Sequence, residues 1–258
     1  MKKFFLILPL LIFSSPVLGQ NIEIDADKRI EWHRDEQKMI AVGNAVAVQG
    51  KDILKGDTLT AIYERVQYED GTQKNQIQKI IAEGKVSIQM DESIGTGTHF
   101  EYYLPTQIGT LKGKPAQLKN KMGTITAQNS IVYYGAENKS VATGDTIAKS
   151  PEYTVYSDKM ISYFKMNAQG QRELKQVDIF ADNRPVKIVN QQGEVTGKRG
   201  SYFPLENKFK IFDDVVIKQN GDILNGDYAE TDLNTGVSRL LPTKKGGRVS
   251  GIFHNKKK

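Results

Sequence analysis

Apolar and polar residues alternate with a period of two along most of this chain. Val46 and Val48 show the pattern near the amino end, and Val86 and Ile88 show it again further on. Side chains of a β-strand point alternately to its two faces, so this period predicts strands with one buried face. No long window shows the helical period. The sequence therefore predicts an all-β protein.

The alternating segments recur at a fixed spacing. In five copies a first position is followed thirteen residues later by a small residue. The first positions are Gly43, Gly84, Gly113, Gly144 and Asp213, and the second are Gly56, Gly97, Thr126, Ser157 and Gly226. A unit of two strands cannot bury its apolar face alone, so stacked units would share one interior. We predict an elongated body of two facing sheets, with about a dozen strands or more bent at glycine bulges.

Two other folds fit the same pattern. One is a compact sandwich whose copies are similar by accident. The other is a right-handed parallel β-helix, which usually has tighter and more regular repeats than this chain.

The first nineteen residues have the pattern of a secretion signal. Met1-Lys2-Lys3 precede the apolar run Phe4–Phe13, and Gly19 stands before the polar Gln20. A short positive segment, an apolar stretch and a small residue are the features of a cleaved signal peptide. We expect cleavage after Gly19 and, for a secreted chain without cysteine, a periplasmic location. A retained membrane anchor is the alternative, although the run is short for a span.

The basic charge is concentrated at the carboxyl end. The chain carries a net charge of +6, and residues 242–258 hold six basic and no acidic residues. When these six residues and the two signal lysines are left out, the chain has 28 basic and 30 acidic residues. A nucleic-acid-binding body needs a basic face, so we expect no nucleic-acid partner. We divide the chain into a signal peptide (1–19), a single elongated domain of about six repeats (20–241) and a basic tail (242–258), which either touches anionic headgroups or is solvated.

Carboxylates occur in pairs, but their spacing assigns them to turns. Asp25 and Asp27 lie near one strand end, Asp213 and Asp214 near another, and Gly-Asp steps such as that at Asp57 recur. Paired carboxylates hydrolyse glycosides, yet aspartate beside glycine is a common turn choice. With no cysteine and three isolated histidines, we expect no enzyme, no metal site and no cofactor.

Several segments carry a family pattern. A glycine followed by alternating valines, a turn and an x–Gly–Asp–x–Leu strand occur together once, and parts of this pattern return twice. These segments are Ile24–Asp27, Ala41–Gly50 and Ile53–Leu59, then Gly84–Phe100 and Val215–Tyr228, and the ending Gly247–Phe253. Together they resemble the LptA/OstA-like family of periplasmic lipopolysaccharide-transport proteins, over most of residues 22–253. This chain is longer than the common members, and its copy around Asp182–Gly197 is irregular, so the strand count stays open.

The resemblance implies a twisted, open β-jellyroll with a V-shaped cross-section and a hydrophobic groove for the acyl chains of lipopolysaccharide. Expected lining residues are the repeated inward positions Val46, Val48, Leu59, Val86, Ile88, Phe100, Tyr102, Ile131, Tyr133, Ile147, Met160 and Phe164. Ordinary core packing is an equal alternative for each of them.

The resemblance also implies partners. Members stack end to end through sheet edges and join an inner-membrane LptC-like protein to an outer-membrane LptD-like barrel. An open sheet leaves unpaired backbone groups at both ends, which invites strand addition. We expect the edge contacts at Ile22 and Ile24 in the first strand. The last strand is expected either at Asp214–Lys218, with contacts at Val215 and Ile217, or at Ile223–Tyr228, with a contact at Ile223. Head-to-tail self-association would follow.

Three other functions stay open. A membrane-anchored LptC-like partner shares the family fold, a polysaccharide-active β-helix enzyme would need an acidic cluster across neighbouring rungs, and a structural or polysaccharide-binding repeat protein would have a polar, closed interior.

The mature amino terminus separates the carrier from the anchored partner. We expect mass spectrometry of the protein from a Gram-negative host to show a chain that begins at Gln20, because the small residue at Gly19 suits signal peptidase. A retained Phe4–Phe13 segment would favour the anchored partner instead.

Overall fold

The structure is a computed structural model that describes residues 22–90, 92–168, 172–233, 235, 237–242 and 247–252. The predicted signal peptide and most of the predicted basic tail lie outside these residues. Every element in the described part is a β-strand, twenty in all, and the all-β prediction is confirmed. Backbone proximity divides the chain into an amino-terminal unit, residues 22–121 and 127–140, and a carboxyl-terminal unit, residues 122–126 and 141–252. The single domain over 20–241 stays a prediction.

The amino-terminal unit is an antiparallel jellyroll whose long strands each belong to two half-sheets. Its strands are β1 (Glu23–Asp25), β2 (Arg29–His33), β3 (Lys38–Gln49), β4 (Asp52–Gln67), β5 (Gln73–Met90), β6 (Ser93–Tyr103), β7 (Ile108–Lys112), β8 (Ala116–Asn120) and β10 (Ser130–Tyr134), with β9 (Gly123–Ala127) at the boundary. Half-sheet A has the order β2-β3-β4-β5-β6-β7-β10. Half-sheet B has the order β1-β3-β4-β5-β6-β8.

The carboxyl-terminal unit repeats this plan. Its strands are β11 (Lys139–Lys149), β12 (Thr154–Met166), β13 (Arg172–Phe180), β14 (Val186–Val189), β15 (Gly193–Gly197), β16 (Arg199–Phe203), β17 (Lys208–Gln219), β18 (Asp222–Asp232), β19 (Ser238–Leu241) and β20 (Ser250–Ile252). Half-sheet A has the order β12-β13-β16-β17-β18-β19. Half-sheet B has the order β12-β14-β15-β17-β18-β20, and β11 pairs with β9.

Bulges let the long strands pass from one half-sheet to the other. Gly43, Gly84, Gly144 and Asp213 have left-handed φ angles of +93°, +93°, +82° and +65°. The strand register shifts beside three of them, between Val42 and Ala45, Glu83 and Val86, and Phe212 and Val215. The predicted bulges are therefore found at three of the five aligned positions, and Gly144 shares their left-handed φ. Gly113 differs because it lies in the break between β7 and β8.

Four turns share one geometry. Gln37, Gln107, Asn138 and Asn207 each end a four-residue turn with φ between +47° and +53°. The carbonyl oxygens of Gln37 and Asn207 accept hydrogen bonds from the N–H groups of Tyr63 and Leu233, each at 2.9 Å. The repeat in the sequence is thus a repeat of turns as well as of strands.

The two units contain one matching block. Strands β2, β3 and β4 correspond to β16, β17 and β18 at a constant offset of 170 residues. Arg29 lies opposite Val42 as Arg199 lies opposite Phe212, and Gly56 corresponds to Gly226. Strand β15 takes the place of β1, since Ile24 pairs with Ala47 as Val195 pairs with Ile217.

The strand directions decide one of the alternatives. Every assigned strand pair in the described residues is antiparallel, so the parallel β-helix is wrong. The elongation and V-shaped opening stay predictions.

Close packing at the crossing points predicts a stability effect. We expect Gly97→Ala to lower the free energy of unfolding by about 3 kcal/mol. The added Cβ would collide with the Lys112 carbonyl oxygen and lie 2.9 Å from a Leu111 methyl group. Urea denaturation would measure the change.

Gly71→Ala is the control. Gly71 has φ +80° but no atom within 4 Å of an added Cβ, so only the backbone preference is lost, about 1 kcal/mol. Equal losses in the two variants would contradict the packing explanation.

Candidate functional site

Apolar side chains of the amino-terminal unit line up across its strands. Leu59 faces Ala82, which faces Phe100, and the row continues through Leu111 to Ile131. These side chains are at most 5% exposed. A Cβ placed on Gly95, in half-sheet B, would lie 3.4 Å from Leu111, in half-sheet A. The two half-sheets therefore enclose one packed apolar interior.

Burial decreases along these rows towards the first strands. On the same inward face, Ile30 is 49% exposed and Trp32 is 52% exposed. Between them and the core lies a cavity of about 40 Å³ open to solvent, lined by half-buried residues that include Met39, Ala61 and Ile80. The interior is thus accessible at the β1/β2 end of the unit.

The carboxyl-terminal unit contains a larger open cavity. Its volume is about 210 Å³, and it lies between half-sheets A and B. Its apolar lining is Ile188, Val195, Phe209, Ile211, Ile217, Leu224, Ala229 and Leu233. A water needs roughly 10–15 Å³ of such volume, so the space is large enough for an extended apolar group.

Polar side chains stand at the mouth of this cavity. The Lys218 ammonium pairs with Glu194 at 3.1 Å, and the Gln219 side-chain amide donates to Gln192 at 3.5 Å. Asn190 accepts hydrogen bonds from the backbone of the following turn. An apolar space behind a polar mouth is suited to an amphiphilic ligand.

Tyr202 lies in the wall of a second cavity of about 40 Å³ in the same unit. Its ring is stacked on Phe209 with centroids 5.6 Å apart, and only 4% of the residue is exposed. Burial, with Tyr153 and Glu152 nearby, raises the pKa of its phenol. The phenol therefore stays neutral at any physiological pH.

Most of the predicted lining residues lie in the packed core. Nine of the twelve are less than 9% exposed: Leu59, Val86, Ile88, Phe100, Tyr102, Ile131, Tyr133, Met160 and Phe164. They face the interior, but half-buried neighbours such as Met39 and Ile217 form the accessible surface. Whether any of them contacts a ligand stays a prediction.

The other three alternate with inward-facing residues. Val46 lies opposite Lys55 and Val48 opposite Ile53, on the side of the strand away from buried Ala45, although Val48, like Ala47, lines a cavity of about 30 Å³. Ile147 likewise lies between the buried Thr146 and Ala148. Beyond a left-handed bulge residue, the second and fourth positions face the interior. Small alanines occupy several of those positions, so the alternation in the sequence does not show which residues face inward. Counting from the bulge glycine would have shown it.

The last edge strand was misplaced. Val215 and Ile217 belong to β17, which pairs with β15 and β16 on one side and β18 on the other. Ile223 lies in β18, which is covered by β19 and β20. Among the described strands the edge is therefore β19/β20. At the other end Ile24 lies in β1, whose assigned pairing is with β3 alone, and Ile22 directly precedes it.

Comparison with known proteins identifies the family. Residues 23–139 and 124–237 each match the family described as LptA/(LptD N-terminal domain) LPS transport protein. The chain belongs to this family of lipopolysaccharide (LPS) transport proteins. No protein with a curated description matches it. It is similar at 14% identity to LptH, the LptA-homologous periplasmic component of the lipopolysaccharide transport device of Pseudomonas aeruginosa, over 92% of this chain and 96% of that chain, with a TM-score of 0.22.

Two overlapping matches to the LptA family agree with the two units of the structure.

Two of the carboxylates considered for catalysis are engaged at one bulge. Asp213 accepts a hydrogen bond from Arg199 at 2.9 Å, and Asp214 pairs with Lys198 at 2.7 Å. In the described part of the chain no group of three His, Asp or Glu side chains could hold a metal ion. No helix there is long and apolar enough to cross a membrane.

The buried phenol of Tyr202 is expected to make the stability of this LptA-family protein depend on pH. An unfolded tyrosine ionises near pH 10, whereas folded Tyr202 keeps its proton to higher pH. Above about pH 10 the unfolded state then binds fewer protons, so stability falls as pH rises. We expect Tyr202→Phe to make the fall in unfolding free energy between about pH 10 and 11.5 less steep, as measured by urea denaturation.

Tyr68→Phe is the matched control, because Tyr68 is 46% exposed. A Tyr202→Phe variant with the slope of the unmodified protein would show that Tyr202 ionises normally in the fold.

Proposed function

We propose that this protein binds LPS in the periplasm and shields its lipid A acyl chains between the half-sheets. The observation that carries the proposal is the open cavity of about 210 Å³ with an apolar lining and a polar mouth. The exposed apolar side chains at the β1/β2 end of the other unit support it. Membership of a family of LPS transport proteins supports it independently.

The free energy of burying acyl chains favours a carrier with an apolar surface between its half-sheets. Removing one CH₂ group from water stabilises the bound state by roughly 0.8 kcal/mol. A lipid with several acyl chains therefore cannot cross an aqueous gap unless a surface covers them. Similar apolar rows recur from strand to strand, so neighbouring positions offer similar affinity. The lipid can then move along the protein without leaving one deep, specific pocket.

The proposed transport path continues through the edge strands. Strands β1 and β2 pair only with β3, and β19 and β20 only with β18, within the described residues. Such edges carry unpaired N–H and C=O groups that add strands from other proteins. We infer that they join an inner-membrane LptC-like protein and an outer-membrane LptD-like barrel, and that copies also associate head to tail. The protein would thereby bridge the two membranes during outer-membrane assembly.

Photo-crosslinking tests the lipid site. A benzoyl-phenylalanine at Ile217, in the cavity lining, is expected to form an LPS adduct in cells that make LPS. The adduct would be detected by a mass shift and by antibodies against LPS. Ile217 suits the probe better than fully buried Phe100, because a half-buried position accepts it without disturbing the core.

Val216 is the matched control. It neighbours Ile217 on the same strand and is also half-buried, but lies opposite Asn225 on the outward face. Adducts at both positions in equal yield, or at neither Ile217 nor Leu224, would refute shielding by this cavity.

A further inference from the structure

Two cavities of the carboxyl-terminal unit share part of their walls. The open cavity of about 210 Å³ is lined mainly by β15, β17 and β18. The smaller cavity of about 40 Å³ is lined mainly by β12 and β13 and has Tyr202 in its wall. Of their lining residues, Tyr153 and Phe209 belong to both. These two rings therefore divide the apolar space between the half-sheets of this unit into two parts.

The two rings come from opposite half-sheets. Tyr153 directly precedes β12, whose first residues pair with β14 in half-sheet B. Phe209 lies in β17, where it pairs with Tyr202 and Thr231 in half-sheet A. The divider is thus built from both sides of the space that it crosses. An acyl chain that extends from the larger cavity into the smaller one must pass between these rings.

Phe209 is the fixed half of the divider. It has a strand partner on each side, and its ring is stacked on Tyr202 with centroids 5.6 Å apart. Tyr202 is itself only 4% exposed. A ring packed in this way changes its rotamer only if its neighbours move as well. We therefore expect this side of the divider to stay in place.

Tyr153 is the half that can move. It belongs to a turn rather than to a strand, and its carbonyl oxygen accepts a hydrogen bond from the Ser150 N–H at 2.9 Å. Its own N–H donates to the Ser150 hydroxyl at 3.2 Å. These bonds fix the backbone of the turn, while the half-buried side chain can still change its rotamer.

A hydrogen bond with the Asn190 side chain holds the Tyr153 ring. Asn190 is itself fixed, because its Oδ1 accepts from the N–H groups of Gln192 and Gly193, each at 2.9 Å. Burial, and then the charge of Glu152, raise the pKa of the Tyr153 phenol, and the bond with Asn190 acts in the opposite direction. The ring is therefore uncharged at physiological pH, so an apolar chain can lie against it.

We propose that Tyr153 is a gate that limits how much of an acyl chain this unit can cover. With the ring in its observed position, the chain is confined to the larger cavity. With the ring turned away from Asn190, the chain extends past Phe209 into the smaller cavity. This inference rests on the proposed function, and it adds a residue that selects acyl chains by their length.

The free energy of burying CH₂ groups makes the gate measurable. Each CH₂ group removed from water strengthens binding about fourfold. Affinity for a series of fatty acids should therefore rise with chain length until the larger cavity is filled. It should then level off, because the additional carbons stay in water unless the ring breaks its bond with Asn190 and turns.

Fatty acids of about 8 to 16 carbons test the gate, with affinities measured by isothermal titration calorimetry below their micelle concentrations. The two cavities join in Tyr153→Ala, so its affinity is expected to keep rising for at least about two more carbons than that of the unmodified protein. Affinity for the longest chains should then be at least about tenfold higher.

Tyr153→Phe is a second variant that preserves the packing of the ring. It lacks the hydroxyl group that bonds to Asn190, so the gate opens at a lower cost. We expect about threefold stronger binding of the longest chains and unchanged binding of chains that fit the larger cavity.

Tyr156→Ala is the matched control. Tyr156 is also a half-buried tyrosine near the start of β12, but it lies opposite Lys187, whose ammonium is 5.1 Å from the centre of its ring. It lines neither cavity, so its variant should bind every chain like the unmodified protein. An equal gain in Tyr156→Ala, or no gain with long chains in either Tyr153 variant, would refute the gate.

The same measurements separate the gate from the carrier proposal. Affinity that rises with chain length, but equally in the unmodified protein and the Tyr153 variants, would leave acyl binding intact and remove only the gate. Affinity that is independent of chain length in every protein would refute the acyl site, and the proposed function with it.

Discussion

The left-handed bulge is the constraint on which the rest of the structure depends. At Gly43, Gly84 and Asp213 the backbone adopts a positive φ, and the strand register shifts there in a local kink. One long strand can then contribute an apolar face to both half-sheets. Without the kink the same strand would present its alternate residues to one flat sheet, and no enclosed interior would form.

This constraint explains which parts of the fold could be predicted from the sequence. Alternation and the spacing of thirteen residues were sufficient to place Leu59, Phe100 and Ile131 on the inward face, because successive residues there differ strongly in polarity. They do not separate the two faces at Val46 and Val48, where alanine and valine alternate and both faces look apolar. Which residues face inward there follows only from their number of positions after the bulge, and the bulge is a property of the backbone conformation.

The edge strands show a different limit. Strands β19 and β20 span four and three residues, too few for a period of two to be distinguished from loop sequence. Their position follows from pairing with β18, a long-range contact. The cavity is equally hard to predict, because residues of the packed core and residues that line the cavity show the same alternation of apolar and polar positions in the sequence. Fully buried Phe100 and half-buried Ile217 differ only in what packs over them.

The matching blocks of the two units have a consequence for assembly. A contact between separate molecules loses translational and rotational freedom when it forms and depends on protein concentration. The contact of β13/β14 with β15/β16 lies within one backbone, so it forms once, on folding, and does not dissociate by dilution. A filament of these chains would therefore alternate permanent joints with reversible ones, and only the reversible joints would respond to how much protein the cell makes.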